Sequence, residues 1–559
     1  MYYNDKMKVS SKSVITTTSN YNLIVLGAVA ISLAASPWVN SDSLIIPKGI
    51  ILISLAAYLI PKLLSNISLS RGNKALTLLI LLALAFTVQM VLVMFFTQAP
   101  LEQQFFGRTG RGLGFATYTS LIIILLVSAL FSLENFAPKK IINGLVIACL
   151  VSSAYSVIQR FGYDIFDWVS FTNGIIGTLG NPNFQSSFLA MALMPAFILF
   201  KDSKFKVVGT FTVVIFLLFT LYLCESTQGY IASLASLSAF ILVYLWYKKK
   251  LYFFSYLFLV LVFGSVAVFG MLNNGPLKAL LYKVSVQSRG EMWRTSLNTI
   301  LDNPLFGVGL DSFGDVSLKY RDPKFVNGIN EYTDNAHNIF LQFSITGGVL
   351  LALIYFLIVA LSFYSFYVTQ KKIGYFDSKI AAIFAAWLSF QLQSIISPAN
   401  ISMLVWNFLI NGFIVGYAFR NTNGVSSTSK SKSSLQFTNP FGAIFLIIAL
   451  VVVYPWYNSD KVSWAARQAG NATALVQSAG MYPESSVRYS RIGLALYESK
   501  LFNEALIVAR QAVKFNPNSI QGWYLIMSIE SAPIEERRKA KLEVMRLDPL
   551  NKDVPNLKL

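Results

Sequence analysis

Apolar residues run through this chain in blocks of about 18 to 22, separated by short polar or charged breaks, and a block of that length spans a bilayer core as an α-helix. Thirteen such blocks can be marked. They extend from Asn22 to Ala35, Leu44 to Leu64, Ala75 to Phe96, Gly114 to Leu133, and Ile141 to Ile158. Four more run from Phe184 to Phe200, Val207 to Cys224, Tyr230 to Tyr247, and Leu251 to Met271. The last four run from Ile339 to Val368, Ile380 to Ile396, Ile401 to Phe419, and Phe441 to Tyr457. The first is short. The pattern predicts an all-α, polytopic membrane protein with about 13 transmembrane helices.

Composition agrees: 55% of the 559 residues are hydrophobic and 13% charged, against roughly 25% charged in soluble domains. The placement of the cations tests the helix count, because Lys and Arg are retained on the cytoplasmic side. With the N-terminus inside, cytoplasmic segments carry twenty cations: Lys6, Lys8, Lys12, Lys62, Arg71, Lys74, Lys139, Lys140, Lys201, Lys204, Lys206, Lys248, Lys249, Lys250, Lys371, Lys372, Lys379, Arg420, Lys430 and Lys432. The short loops facing the other way carry only Lys48, Arg108, Arg111 and Arg160. The net charge of +19 is therefore an orientation signal, and nucleic acid is not an expected partner. Cys149 and Cys224 lie in or at the end of apolar blocks without metal-ligand spacing and read as small core residues. The polar N-terminal twenty residues lack a signal-peptide pattern, so the first helix is expected to be an uncleaved anchor.

This topology divides the chain into a membrane domain, 1–457, with an outer loop at 272–336, and an extracytoplasmic helical region, 458–559. In the latter, Pro483, Pro517 and Pro549 recur at the spacing of paired-helix solenoids. Tyr489, Ile492, Gly493, Leu496, Ala505, Ala509 and Ala512 match the tetratricopeptide pattern, the small residues letting two helices approach. The region either binds a protein partner or acts as a cap that braces the outer loop. Val425 to Ser434 is a low-complexity polar tether.

The chain has one histidine, His337, where the outer loop enters the tenth apolar block. Imidazole titrates nearest neutrality, and unpaired amides at a helix start favour its neutral form, the form a general base needs. The alternative is a histidine that caps or packs. In the same loop, Val286 to Leu301 reads as an amphipathic helix with Arg289, Trp293, Ser296 and Ile300 on one face. Arg289 on that face either snorkels or is held inward for an anionic ligand, while Arg294 falls off the stripe and reads as a surface residue. Gly307 and Gly309, in Asn303-Pro304-Leu305-Phe306-Gly307-Val308-Gly309, read as turn glycines. Arg160 is a cation on the side where cations are scarce. Asn183 can cap the sixth helix, and Glu225 is either an interfacial charge or a partner for an arginine.

Gly180-Asn181-Pro182-Asn183, Ser288-Arg289 followed by Trp293, the 303–309 turn, and His337-Asn338 followed by Leu341-Gln342 together resemble the bacterial O-antigen ligase and polymerase superfamily. The resemblance covers roughly Tyr155 to Gly348. It implies a metal-independent, inverting glycosyltransferase without a cofactor, which moves a glycan from undecaprenyl pyrophosphate to an acceptor hydroxyl on the periplasmic side of the inner membrane. By position in the motifs, His337 would be the base or orienting group, and Arg289, with Arg160, would bind pyrophosphate. Asn183, Glu225 and Gln342 complete the substrate-binding candidates. One departure stands out: many members carry Ser-Arg-Gly where this chain has Thr227-Gln228-Gly229, so a carrier-binding arginine is missing there. The acceptor implied is a lipid A core, a protein or another glycan. A polymerase of the same family would use the same chemistry, whereas a transporter would place its ionisable residues at mid-membrane.

Overall fold

A computed structural model describes residues 11–70, 72–132, 137–164, 166, 174–324, 332–418 and 435–558. The polar tether at 425–434, and the cations Lys6, Lys8, Arg71, Arg420, Lys430 and Lys432, lie outside the described residues. Among the described residues every regular element is helical.

Each of the thirteen apolar blocks falls on a helix. In the first half these are α1 (Ser11–Leu33), α2 (Ile45–Asn66) and α3 (Lys74–Phe96), then the short α4 (Leu101–Phe106), α5 (Phe115–Phe131), α6 (Ala137–Arg160) and α7 (Pro182–Ile198). The run continues with α8 (Lys206–Leu223), α9 (Thr227–Trp246) and α10 (Lys250–Met271). The loop after it holds α11 (Lys278–Leu281), α12 (Val284–Asp302) and α13 (Phe313–Val316). Then come α14 (Ile339–Ile373), α15 (Ser378–Ser394), α16 (Ile401–Ala418) and α17 (Leu435–Gln468). By length and composition 9 of these helices, among the described residues, are apolar enough to cross a membrane. The remaining four are shorter: the described apolar part of α1 is Tyr21–Leu33, and α5, α7 and α15 have 17 residues each. The chain is a multi-pass membrane protein.

Helices in lipid gain little from apolar contact alone, so close backbone approach and polar pairs hold them together. Helix α16 shows both devices. Gly412 and Gly416 lie one turn apart against α5, so close that a Cβ on either would sit 2.1 Å from the Leu125 carbonyl oxygen or 2.0 Å from that of Ala129. On another face Asn411 accepts from Trp387 Nε1 at 2.9 Å, and Asn407 accepts from Gln391 at 2.6 Å and donates to the Tyr355 hydroxyl at 3.2 Å. By contrast α10 has no buried share in its apolar window and sits on the periphery.

The tenth block is not one straight helix. Gly348 breaks α14 with φ of 80° and ψ of 165°, and the 303–309 turn is stitched into the break. Val308 donates to the Ile345 carbonyl at 2.8 Å and Val349 to that of Pro304 at 2.9 Å, while Gln89 Nε2 from α3 donates to both the Leu305 and Gly347 carbonyls at 2.9 Å. A Cβ at 348 would lie 2.0 Å from the Leu305 oxygen, and one at 307 would lie 2.1 Å from that of Ile345. Both Gly307 and Gly309 have positive φ, as turn glycines do. We expect Gly348→Ala to lower the apparent melting temperature sharply, by roughly 3 kcal/mol or more of stability, because backbone strain and a collision add. Gly374 has the same sign of φ but open space around it, so Gly374→Ala should cost only about 1 kcal/mol. Equal losses in fluorescence-detected thermal unfolding would show that the stitch is not what holds the break.

Helix α17 continues through Tyr457 to Gln468 without interruption. After it, α18 (Ala472–Ala479), α19 (Ser486–Glu498), α20 (Phe502–Phe515), α21 (Ile520–Ser528) and α22 (Ile534–Leu547) form stacked pairs. The anticipated groove residues Tyr489, Ile492, Gly493, Leu496, Ala505, Ala509 and Ala512 are all buried. This region docks on the bundle loops. Thr109 meets Ser485 at 2.8 Å, Ser486 donates to Gln103 at 3.0 Å, Asn516 donates to Asp315 at 3.0 Å, and Arg321 forms a buried ion pair with Asp548.

Candidate active site

His337 sits just before the N-cap of α14. Asn338 is the cap, accepting from the Phe340 and Leu341 amides. The preceding turn is closed from both sides: Gln342 Oε1 accepts from the Ala336 amide at 2.9 Å, and Asn335 Oδ1 accepts from the His337 amide at 2.9 Å. These bonds hold His337 at φ of 51°, a left-handed conformation that His tolerates better than most side chains but that still costs energy. Among the described residues its buried Nδ1 has no hydrogen-bond partner.

Two arginines flank this imidazole, and each is fixed by a different device. Arg111, in the turn between α4 and α5, forks onto Asp334 with bonds of 2.7 and 3.1 Å, a bidentate geometry that orients the guanidinium plane. The turn itself is shaped by Asp311, whose carboxylate accepts from the Arg108 and Leu113 amides at 2.7 and 3.0 Å. Arg108 faces elsewhere, pairing with Asp315 and Tyr332. Arg289, on α12, donates from Nε to the Ile396 carbonyl at 2.7 Å and from Nη1 to the Ser285 carbonyl at 2.9 Å. Its Nη2 makes no hydrogen bond among the described residues, and the side chain is turned towards a cavity. Arg294, expected at the surface, is half-buried.

His337, Arg289, Arg111, Asp334, Asn183 and Asp42 line one cavity of about 530 Å³. It lies at the end of the bundle formed by the α1–α2, α3–α5, α6–α7, α15–α16 and α10–α14 connections. Burial, followed by Arg111 and Arg289, pushes the His337 imidazole down to about 4 against the opposing pull of Asp334. The ring is therefore neutral at pH 7. Burial would push Asp334 up, but Arg111 and its hydrogen bonds outweigh it and hold the carboxyl at about 2. Asp42 is pushed up to about 6, first by burial and then by Asp460. Among the described residues no three His, Cys, Asp or Glu side chains gather as a metal-ion site.

Of the residues singled out from sequence, the fold brings His337, Arg289 and Asn183 onto one cavity wall and keeps Gln342 behind it as the clamp on the histidine turn. Asn183 is not the helix cap; Asn181 is, accepting from the Asn183 amide at 2.8 Å, while Asn183 Oδ1 accepts from Ser226 at 2.7 Å. Arg160 and Glu225 pair with each other at 3.1 Å, both well exposed, and do not line the cavity. Gln228 reaches the same Ile396 carbonyl as Arg289, at 3.3 Å. Arg111 and Asp334 were not singled out. The signal for Arg111 was present, since it is one of the four cations on the cation-poor side, but its acid partner lies 223 residues away and only the fold joins them.

Fold and site define the class: a multi-pass membrane protein with a polar, arginine-lined cavity at one end of its helix bundle. Residues 212–356 match the family model described as O-Antigen ligase. That match supports the O-antigen ligase superfamily, and with it a glycosyltransferase-type ligase or polymerase of the membrane. The matched stretch contains Arg289 and His337, while Arg111, Asn183 and Asp42 stand outside it. No curated protein matches the chain.

Proposed function

We propose that the chain is a metal-independent, inverting glycosyltransferase that moves a glycan from undecaprenyl pyrophosphate to an acceptor hydroxyl. The observation that carries this reading is a neutral histidine beside two fixed arginines in one cavity. The acceptor oxygen attacks the anomeric carbon from the face opposite the pyrophosphate; the C–O bond to phosphate breaks, and its electron pair stays with the lipid pyrophosphate. Arg289 and Arg111 would meet the charge that grows there, as fixed guanidinium donors aimed at the leaving group. His337 would take the acceptor's proton. Asn183 would orient sugar hydroxyls, whereas Arg160 and Glu225, paired with each other outside the cavity lining, would act from the rim.

The cavity would face the periplasm of a bacterial inner membrane, with the N-terminus cytoplasmic and region 458–559 outside. That region would be a tetratricopeptide-like platform for a large acceptor or a protein partner, which inclines the reading towards a ligase over a polymerase.

The test is reconstitution of the full chain in liposomes with a defined undecaprenyl-pyrophosphate oligosaccharide and candidate acceptors, with products resolved by mass spectrometry and the new linkage by NMR. An inverted linkage on a lipid A core or protein is the expected result. Lengthening of the carrier-linked glycan would make the chain a polymerase, and movement of the donor without any new bond would overturn the transferase reading.

A further inference from the structure

Two side chains from beyond Tyr457 line the same cavity as His337: Trp464, on the last turns of α17, and Arg491, on α19. Trp464 is half-buried and Arg491 exposed. They stand beside a hydrogen-bonded floor. The Asp42 carboxylate accepts from the Gly110 amide at 2.7 Å and the Ile45 amide at 3.1 Å, and the Asp42 amide donates to Asp460 of α17 at 3.1 Å. The loop after α1, the turn after α4 and the end of α17 are thus tied at one point, and Arg491 acts electrostatically on the carboxylate there. The C-terminal region is therefore part of the cavity wall as well as a body docked beside it.

We propose that Trp464 and Arg491 form a sugar-binding wall that selects the glycan chain, resting on the transferase reading above. An indole face offers a flat apolar surface with little rotamer freedom, suited to the C–H face of a pyranose ring. A planar guanidinium offers paired donors to vicinal hydroxyls or a sugar carboxylate. Neither residue belongs to the arginine and histidine group that meets the reacting bond, so the pair bears on which chain binds and in what register.

The test measures KM and kcat of Trp464→Ala, Trp464→Phe and Arg491→Ala in the full-length protein, varying donor and acceptor separately. Binding of free tri- to pentasaccharides, neutral and uronate-bearing, is followed in parallel by calorimetry. Trp464→Ala and Arg491→Ala should each raise one of the two KM values about tenfold, with kcat within about twofold, and Trp464→Phe should recover most of the loss. The KM that moves tells whether the wall holds the donor's glycan or the acceptor's. Arg491 is exposed, so its truncation leaves packing intact and keeps the test clear of misfolding. Unchanged KM values, or a fall in kcat alone, overturn the wall. Should the wild type transfer nothing, loss of free-oligosaccharide binding in the variants still supports the wall, and absence of such binding in the wild type overturns it.

Discussion

His337→Ala is expected to reduce kcat/KM for glycan transfer about a thousandfold, within the range a positioned general base supplies, while membrane insertion is kept and stability falls by only about 1 kcal/mol, the cost of alanine at a left-handed position. Near-normal transfer would remove the histidine from the mechanism. The pH profile gives a second check whose sign follows from the surroundings. The neutral ring is the active form, so activity is lost as pH falls through its pKa. Burial and the two arginines hold that pKa at about 4, and kcat/KM, which reports the free enzyme, should show its acid limb there. A bound pyrophosphate would offset the arginine charges and let the imidazole rise, so the limb in kcat should lie at higher pH. Asp334, held at about 2, stays ionised throughout. Asp42 lies near 6, and a limb there that vanishes in Asp42→Asn belongs to that carboxyl. Identical limbs in kcat and kcat/KM would rule out the coupling between donor and base.

Arg289→Lys should lower kcat/KM by about 10- to 100-fold, the worth of one charge-assisted hydrogen bond. The wild-type guanidinium holds the Ile396 and Ser285 carbonyls and still has Nη2 to offer. An ammonium has no fixed fork with which to keep both carbonyls and face a phosphate. Full activity in this variant would return Arg289 to a structural role at the loop. Steady-state kinetics with a single lipid-pyrophosphate donor decides between the two.

The membrane architecture was legible in the sequence because hydropathy and loop charge report on the same alternation, and each apolar block found its helix. The break at Gly348 was not, since both limbs of α14 are apolar and a sliding window sees no boundary between them; only the stitched carbonyls reveal why the chain turns. Among the cavity residues, His337 and Arg289 were each singled out by a local signal, the one histidine of the chain at a helix start and an arginine on the apolar stripe of an amphipathic helix, but that they share a cavity wall is visible only in the fold. Arg111 with Asp334, and Arg491 with Asp42, were not legible, because long-range pairs leave no local periodicity. Arg160 was chosen for its side of the membrane, and of the two readings the sequence left for Glu225 the fold shows the partner for an arginine, with Arg160 as that arginine.

Arg289 belongs to a loop in the covalent chain, yet its Nε is held by a carbonyl just past the end of α15. Helix ends sit at a depth fixed by the bilayer's thickness. On the proposed transferase reading, this bond would set the guanidinium at the height at which a lipid carrier presents its phosphates, and a thinner or thicker membrane should then shift donor and arginine out of step.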